Sequence, residues 1–484
     1  MASSSHHLAV DLGASSGRVL RGTLRGDRVR IEEVHRFETP VVEEGERLYW
    51  DLGAIEREVK TGLQASLDAA APPRSLSVDS WAVDYVPLDA DGQPLRNPRS
   101  YRDPRTQDVM EETLDPETRA AIYSTTGIQF LPINTLYQVL ADHRAEPSLV
   151  EETALRLPIA DYLQYRFSGE AVAERSMAST TQLLDVRTGD WATDLMERFD
   201  IAPATWPPVV PPATRLGPLR PSPDTDVDTR GASVEVVAGC SHDTACAVAA
   251  TPAAPDGRPW AYISCGTWSL MGVERDAPLL TDAAREAGFT NELGLDGTVR
   301  FLKNRTGLWV LQECERAWTA DGQQFDYDTL QREARAAASL GVIDLDDTRF
   351  LERGRMPQKI RAYCRERGQP VPDTRGAFVR LILESLAVDY RDTLATMEEL
   401  LGNRVETVHL VGGGSRNELL CQWTADATGR RVVAGPAEAT ALGNLLIQAR
   451  AMGELSDGTS IRDVVRASTT LRTYEPDPQS TLRD

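Results

Sequence analysis

Apolar positions along the first residues alternate with polar ones in two runs, 8–12 and 18–24, around Gly13-Ala-Ser-Ser-Gly17. Two short apolar runs around a Gly/Ser turn predict a β-hairpin. Ile55, Val59, Leu63 and Leu67 then recur every fourth residue, the period of an amphipathic helix. A strand is predicted from residue 75, running into a loop by Tyr85, and helical patterns dominate 116–167. Residues 203–223 are rich in proline and read as an extended surface connection anchored by Trp206 and the nearby valines. Beyond it come a strand at 234–239, a helix at 244–250, and a second strand–turn–strand at 260–273 with Gly266 and Thr267 at its bend. That second hairpin echoes the first and suggests two related halves. A helix is predicted over 378–401, ending at Gly402. A strand at 405–411, a glycine loop at 412–417 and a helix at 418–428 follow. Alternation of strands and helices predicts an α/β architecture.

Composition narrows the class. The 484 residues allow two large domains or about three ordinary ones. Lys plus Arg total 52 against 73 Asp plus Glu, a formal charge of -21. Such a surface repels nucleic-acid phosphates and anionic lipid, which argues against a general nucleic-acid or membrane-surface binder. One anionic ligand is still compatible with it, because a few backbone N–H groups and an arginine bind a phosphate locally. Six cysteines without a C-x-x-C pair provide neither a disulfide scaffold nor a zinc signature. No run is apolar enough to span a bilayer, and residues 1–7 lack the basic-then-apolar pattern of a leader. A cytoplasmic protein is expected.

Five stretches could carry chemistry. In Asp11-Leu-Gly-Ala-Ser-Ser-Gly-Arg18, small residues allow an anion close to the backbone, while Ser15, Ser16 and Arg18 add hydroxyls and a charge. A tight hairpin with positive-φ glycines accounts for the same residues. No Lys follows, so a Walker A loop is excluded. Asp11 suits a hydrated Mg²⁺ or the turn's own backbone. Gly412-Gly-Gly-Ser-Arg-Asn417 lacks the third glycine of a dinucleotide fingerprint, and fits either a purine lying against main chain or a sharp β-to-α turn. In Ser241-His-Asp-Thr244, Asp243 is either a helix cap or a general base kept ionised by the helix N-terminus. Ser80-Trp-Ala-Val-Asp-Tyr85 and Tyr101-Arg-Asp-Pro-Arg-Thr106 combine aromatic and polar groups, as carbohydrate pockets and solvated loops both do.

Taken together and in order, these motifs resemble those of the FGGY carbohydrate kinase family. Asp79-Ser-Trp-Ala-Val-Asp-Tyr85, Gly127-Ile-Gln-Phe-Leu-Pro-Ile-Asn-Thr-Leu-Tyr137, Gly266-Thr-Trp-Ser-Leu-Met-Gly272 and Ala434-Gly-Pro-Ala-Glu-Ala-Thr-Ala-Leu-Gly-Asn444 complete the set, which covers essentially the whole chain. The resemblance implies two actin-like (ribonuclease H-like) α/β domains around a central cleft, of the sugar kinase/Hsp70/actin type. Residues 1–245 would bind sugar and carry the first phosphate hairpin, and 246–484 would bind nucleotide. The similar branch implies transfer of phosphate from ATP to O1 of L-rhamnulose, with Mg²⁺, in L-rhamnose breakdown.

By the same resemblance Asp243 is the base, and Ala82, His242, Thr244 and Asn304 line the sugar. Ala14, Ser15, Ser16, Gly17, Arg18 and Thr267 would hold phosphates, Gln312 and Gly413 the nucleotide, and Asp11 the metal through water. The implied partners are the small sugar and ATP, without nucleic acid or membrane, in a monomer or homodimer. Three positions depart from the family's usual residues. Ala82 stands where glycine is common, Cys265 where serine is common, and Pro132-Ile-Asn-Thr-Leu-Tyr137 lacks the usual Lys and Trp. Other readings are a kinase for L-fuculose or L-xylulose, or an actin- or Hsp70-like ATP-driven binding protein.

Overall fold

Leu8, Val10 and Leu12 are fully buried, and so is Ala9 between them, as expected for a strand covered on both faces. In the computed structural model, which describes residues 4–220, 227–229 and 231–483, this strand is Ser4–Leu12. Residues 1–3 of the leader reading and 221–223 of the proline-rich stretch lie outside the described residues. The chain forms two compact units: Met1–Ala250, Glu274–Phe301 and Ala439–Ser468 in the first, and Thr251–Val273, Leu302–Glu438 and Thr469–Asp484 in the second.

The first unit is built on a six-stranded sheet in the order Thr214–Pro218, Glu235–Ala238, Ser75–Ser80, Ser4–Leu12, Ser16–Arg25, Arg28–Glu38. Ser4–Leu12 runs antiparallel to its hairpin partner and parallel to Ser75–Ser80. Helix Leu52–Leu67, capped by Asp51, buries Ile55, Val59, Leu63 and Leu67. Helix Ala439–Ala451 packs on Ser4–Leu12, on Ser75–Ser80 and on helix Asp243–Ala249. The predicted helical stretch resolves into Pro116–Thr126, Thr135–Ala145, Pro147–Glu152 and Ile159–Ser168.

Two elements differ from the sequence pattern. Arg28–Glu38 is a strand at the sheet edge, where charged side chains outnumber apolar ones because one side faces water. The proline-rich stretch is anchored as expected by buried Trp206, which packs against Tyr85 and Trp191. It then supplies the opposite edge strand, Thr214–Pro218, instead of remaining a plain connection. Proline is tolerated there because an edge leaves one row of N–H groups unpaired.

The second unit repeats the opening device. Trp260–Cys265 pairs antiparallel with Trp268–Arg275 and parallel with Thr407–Val411, which continues to Arg431–Ala434 and Arg472–Tyr474. Helix Arg375–Leu401 starts on a Thr374 cap and ends at Gly402, whose φ of 67° is the left-handed conformation that stops a helix. Helix Glu418–Thr428 is capped by Asn417. Among the described residues no helix is long and apolar enough to cross a membrane, and all six cysteines are free and buried.

Candidate active site

In the first unit three parallel neighbours, Glu235–Ala238, Ser75–Ser80 and Ser4–Leu12, end near one another, and each leads to a carboxylate. The carboxyl ends of parallel strands are where α/β sheets commonly bind ligands. Asp11 and Asp79 are register partners on adjacent strands. Asp243 opens the helix that follows the third strand. Backbone bonds join the strand ends: Ser80 N donates to Ser241 O (2.9 Å) and Trp81 N to Leu12 O (3.2 Å).

Each acid has a different environment. Asp79 is fully buried; its Oδ2 accepts from Asn444 Nδ2 at 2.6 Å, and its Oδ1 has no partner among the described residues. Burial, reinforced by the charge of Asp11, holds its carboxyl well above the ordinary range, although Asn444 acts the other way. Asp243 keeps one third of its side chain exposed (33%). Its Oδ1 accepts from Thr244 N (2.5 Å) and Thr244 Oγ1 (3.1 Å), and His242 Nε2 lies 3.4 Å away.

The helix cap is His242, and Asp243 is the first helical residue. Its carboxyl is raised, whereas a helix N-terminus alone is expected to lower it. Burial dominates and Asp11 adds to it; His242 and Thr244 offset only part. The segment before it is held by two more buried acids: Ser241 N donates to Glu174 Oε2 (2.8 Å) and Ser241 Oγ to Asp161 Oδ1 (2.6 Å).

The hairpin turn is an open backbone surface. Thr39 engages its carbonyls, donating from N to Ser15 O (3.2 Å) and from Oγ1 to Gly13 O (2.6 Å). The N–H groups of Ala14 and Ser15 donate to no acceptor among the described residues. Arg18, directly across the hairpin from Asp11, places Nη2 2.5 Å from Asp11 Oδ2. Neither Gly13 nor Gly17 has a positive φ, so the expected positive-φ turn is not the reason for them. Gly17 is required by packing: a Cβ there would sit 2.3 Å from the Phe37 ring.

Ala82 lies on a loop whose shape is set by its neighbours. The positive φ falls on Val83 (72°), and Ala82 itself has an ordinary backbone, so the extra methyl is accommodated. Val83 O accepts from Thr135 Oγ1 at 2.6 Å. Asp84 accepts four hydrogen bonds, from Trp50 Nε1 (2.6 Å), Trp81 Nε1 (3.0 Å), Tyr101 N (3.1 Å) and Gln138 Nε2 (2.8 Å). Together these contacts over-determine a conformation that a β-branched residue resists.

Burial pushes the Asp84 carboxyl up to about 6, against the pull of those donors. A proton held more tightly in the folded chain stabilises it at low pH. That contribution is complete below the ordinary value of 3.8 and is lost as pH rises through about 6. Asp84→Asn removes it. The stability of the parent relative to this variant is therefore expected to rise by on the order of 2 kcal/mol between pH 7 and pH 4, measured by denaturant unfolding. A difference that instead shrinks as pH falls would mean that the four donors outweigh burial.

In the second unit Thr267 and Gln312 meet, Thr267 Oγ1 donating to Gln312 Oε1 at 3.3 Å. The three glycines have separate reasons. Gly412 takes a φ of 79°. Gly414 packs on Cys265 so closely that a Cβ would lie 2.3 Å from the sulfur, and Gly413 has nothing within 4 Å of where a Cβ would be. Gly413 alone therefore leaves room for a ligand against its backbone. Cys265 is buried under this loop, facing Tyr390 and Ser269, and is not a donor at the Thr267 turn. Asn304 lies half-buried on strand Val299–Thr306.

The first unit thus assembles Asp11, the hairpin turn, Ala82, His242, Asp243 and Thr244, while Thr267, Gln312, Gly413 and Asn304 belong to the second. Asp79 and Asp84 stand inside motifs visible in the sequence, but only burial and hydrogen bonding reveal what they do. Glu292 and Arg300, which reach His242, carry no local sequence signal.

The profiles of the FGGY family of carbohydrate kinases match twice, the N-terminal domain over residues 6–250 and the C-terminal domain over 261–452. A protein named rhamnulokinase from Oceanobacillus iheyensis is 38% identical over 97% of this chain and 98% of its own length. Rhamnulokinases from Bacillus subtilis (40% identity, 97% of this chain, 95% of the relative) and Pectobacterium carotovorum (41%, 98% and 93%) are similar too. Among solved structures, a ligand-bound xylulose kinase from Lactobacillus acidophilus shares the fold with a TM-score of 0.78 at 14% identity, covering 98% of this chain and 94% of that one. Glycerol kinase from Plasmodium falciparum with ADP does so at 0.77 and 15% identity, with the same coverage.

Proposed function

Because the chain belongs to the FGGY family of carbohydrate kinases, we propose that it transfers the γ-phosphoryl group of ATP to the O1 hydroxyl of L-rhamnulose, giving L-rhamnulose 1-phosphate and ADP. The observation that carries the mechanism is Asp243: a carboxylate at a helix start, partly exposed, anchored through one oxygen by Thr244 and raised in pKa. Its other oxygen receives the O1 proton as that oxygen attacks phosphorus. A carboxylate with a raised pKa holds a proton more readily and so suits a general base better than an ordinary one.

Ala82, His242 and Thr244 are assigned to the sugar, with Asn304. The free N–H groups of Ala14 and Ser15, with Ser16, Gly17, Arg18 and Thr267, are assigned to phosphate oxygens, and Gln312 and Gly413 to the nucleoside. Asp11, a carboxylate at the strand end next to the unpartnered Oδ1 of Asp79, fits a hydrated divalent cation as its outer ligand. Mg²⁺ bound there would neutralise charge on the phosphates. Arg18 holds Asp11 in place meanwhile. The proposal places the reaction in the cytoplasm, in a monomer or homodimer that needs neither nucleic acid nor membrane.

A ketose panel tests the substrate. L-rhamnulose, L-fuculose, L-xylulose and a no-sugar control are compared by ADP release from the purified protein. The expected result is the highest kcat/KM for L-rhamnulose and little ADP without sugar. A clear preference for another ketose would overturn the substrate, and sugar-independent ATP hydrolysis would favour an ATP-driven binding protein.

A further inference from the structure

Behind Asp243 runs a chain of buried polar groups. His242 is 5% exposed; beyond its Nε2, which faces Asp243 Oδ1, its Nδ1 lies 3.2 Å from Arg300 Nη2 and 3.4 Å from Glu292 Oε2. Arg300 is fully buried and has little freedom to move. Its Nε and Nη2 donate to Leu293 O (3.3 and 3.1 Å), and its Nη1 is ion-paired with Glu292 Oε2 at 3.0 Å. Burial works to raise the Glu292 carboxyl, but the Arg300 charge and His242 bring it below the ordinary range, so Glu292 stays a carboxylate beside the guanidinium.

A guanidinium has donors only and stays protonated. A ring nitrogen that accepts from it must present a lone pair, which leaves the imidazole's proton on the other nitrogen. With Nδ1 turned to Arg300, the proton of His242 is on Nε2, directed at the Asp243 carboxylate. The opposite tautomer would set the Nε2 lone pair against carboxylate oxygen and an N–H against the guanidinium, with Glu292 Oε2, 3.4 Å away and outside hydrogen-bonding geometry, as the nearby carboxylate acceptor.

We propose that Arg300, locked by Glu292 and Leu293 O, is a positioning residue that fixes His242 as the Nε2–H tautomer. His242 then acts as a hydrogen-bond donor to Asp243 and to the ketose, and does not compete with Asp243 for the O1 proton. The catalytic part of this inference rests on the base role proposed for Asp243; the tautomer does not.

The test is ¹⁵N NMR of histidine-labelled protein without ligands at neutral pH, with His242 assigned by its loss in His242→Gln. The expected result is an Nε2–H imidazole in the parent and in Arg300→Lys, whose ammonium is also donor-only. In Arg300→Gln, whose amide both donates and accepts, the Nδ1–H form is expected to appear. This variant should lose about tenfold in kcat/KM for the ketose, the scale of one hydrogen bond, with KM for ATP unchanged and partial rescue in Arg300→Lys. An Nδ1–H ring in the parent overturns the proposal even if the Arg300 variants fail to fold. Nε2–H in the parent, together with a normal ketose kcat/KM in folded Arg300→Gln, overturns the positioning role. If no ketose is phosphorylated but the tautomer is found, the functional reading fails and the structural assignment stands.

Discussion

Asp243→Asn is expected to lower kcat by at least about a hundredfold while leaving ketose and ATP binding close to normal. Asparagine has the same shape, and its Oδ1 still accepts from Thr244 N, so the loop keeps its anchor. What disappears is the only group at this position able to take the O1 proton. Because burial and Asp11 make ionised Asp243 unfavourable in the fold, the variant should be no less stable than the parent. Loss of turnover without loss of stability separates a chemical role from a structural one. In the parent, kcat/KM is expected to fall as pH drops through the raised pKa of Asp243. Steady-state kinetics, calorimetric sugar binding and denaturant melts check each part, and near-normal turnover in the variant would remove Asp243 from the chemistry.

Gly443→Ala is expected to cost about 3 kcal/mol or more, or to prevent folding. The added Cβ would lie 2.0 Å from Cys246 O and 2.6 Å from Cys246 C. Both are backbone atoms of helix Asp243–Ala249, so no side chain can swing aside; helix Ala439–Ala451 must back away. Asp243 starts the displaced helix and Asn444, which binds Asp79, follows Gly443, so activity should fall with stability. Urea unfolding measures the first effect and kcat/KM the second. A variant as stable as the parent would show that the two backbones do not pack this closely.

Much of this was legible locally. Ile55, Val59, Leu63 and Leu67 show their period, Gly402 marks a helix end, and turns of glycine with Ser or Thr mark both hairpins, because each signal needs only near neighbours. The Arg28–Glu38 and Thr214–Pro218 edge strands were missed because a solvated edge carries charge and proline without a two-residue apolar rhythm. Gly17 and Gly443 were visible as glycines, but their reason, the Phe37 ring and the Cys246 carbonyl, lies elsewhere in the chain.

The sign of the Asp243 shift was misjudged for a similar cause. A helix N-terminus is a local feature, whereas burial and the charge of Asp11 are products of the folded unit. Glu292 and Arg300 are 50 and 58 residues from His242 in sequence. No spacing rule connects them.

The most direct test is to incubate the parent and Asp243→Asn side by side with L-rhamnulose and Mg·ATP, and to identify the sugar product by ³¹P and ¹³C NMR. The expected spectrum for the parent is a phosphomonoester coupled to C1, formed one-for-one with ADP, and for the variant almost none under the same conditions. A phosphate on any other carbon, or equal product from both proteins, would contradict a base at Asp243 acting on the O1 hydroxyl.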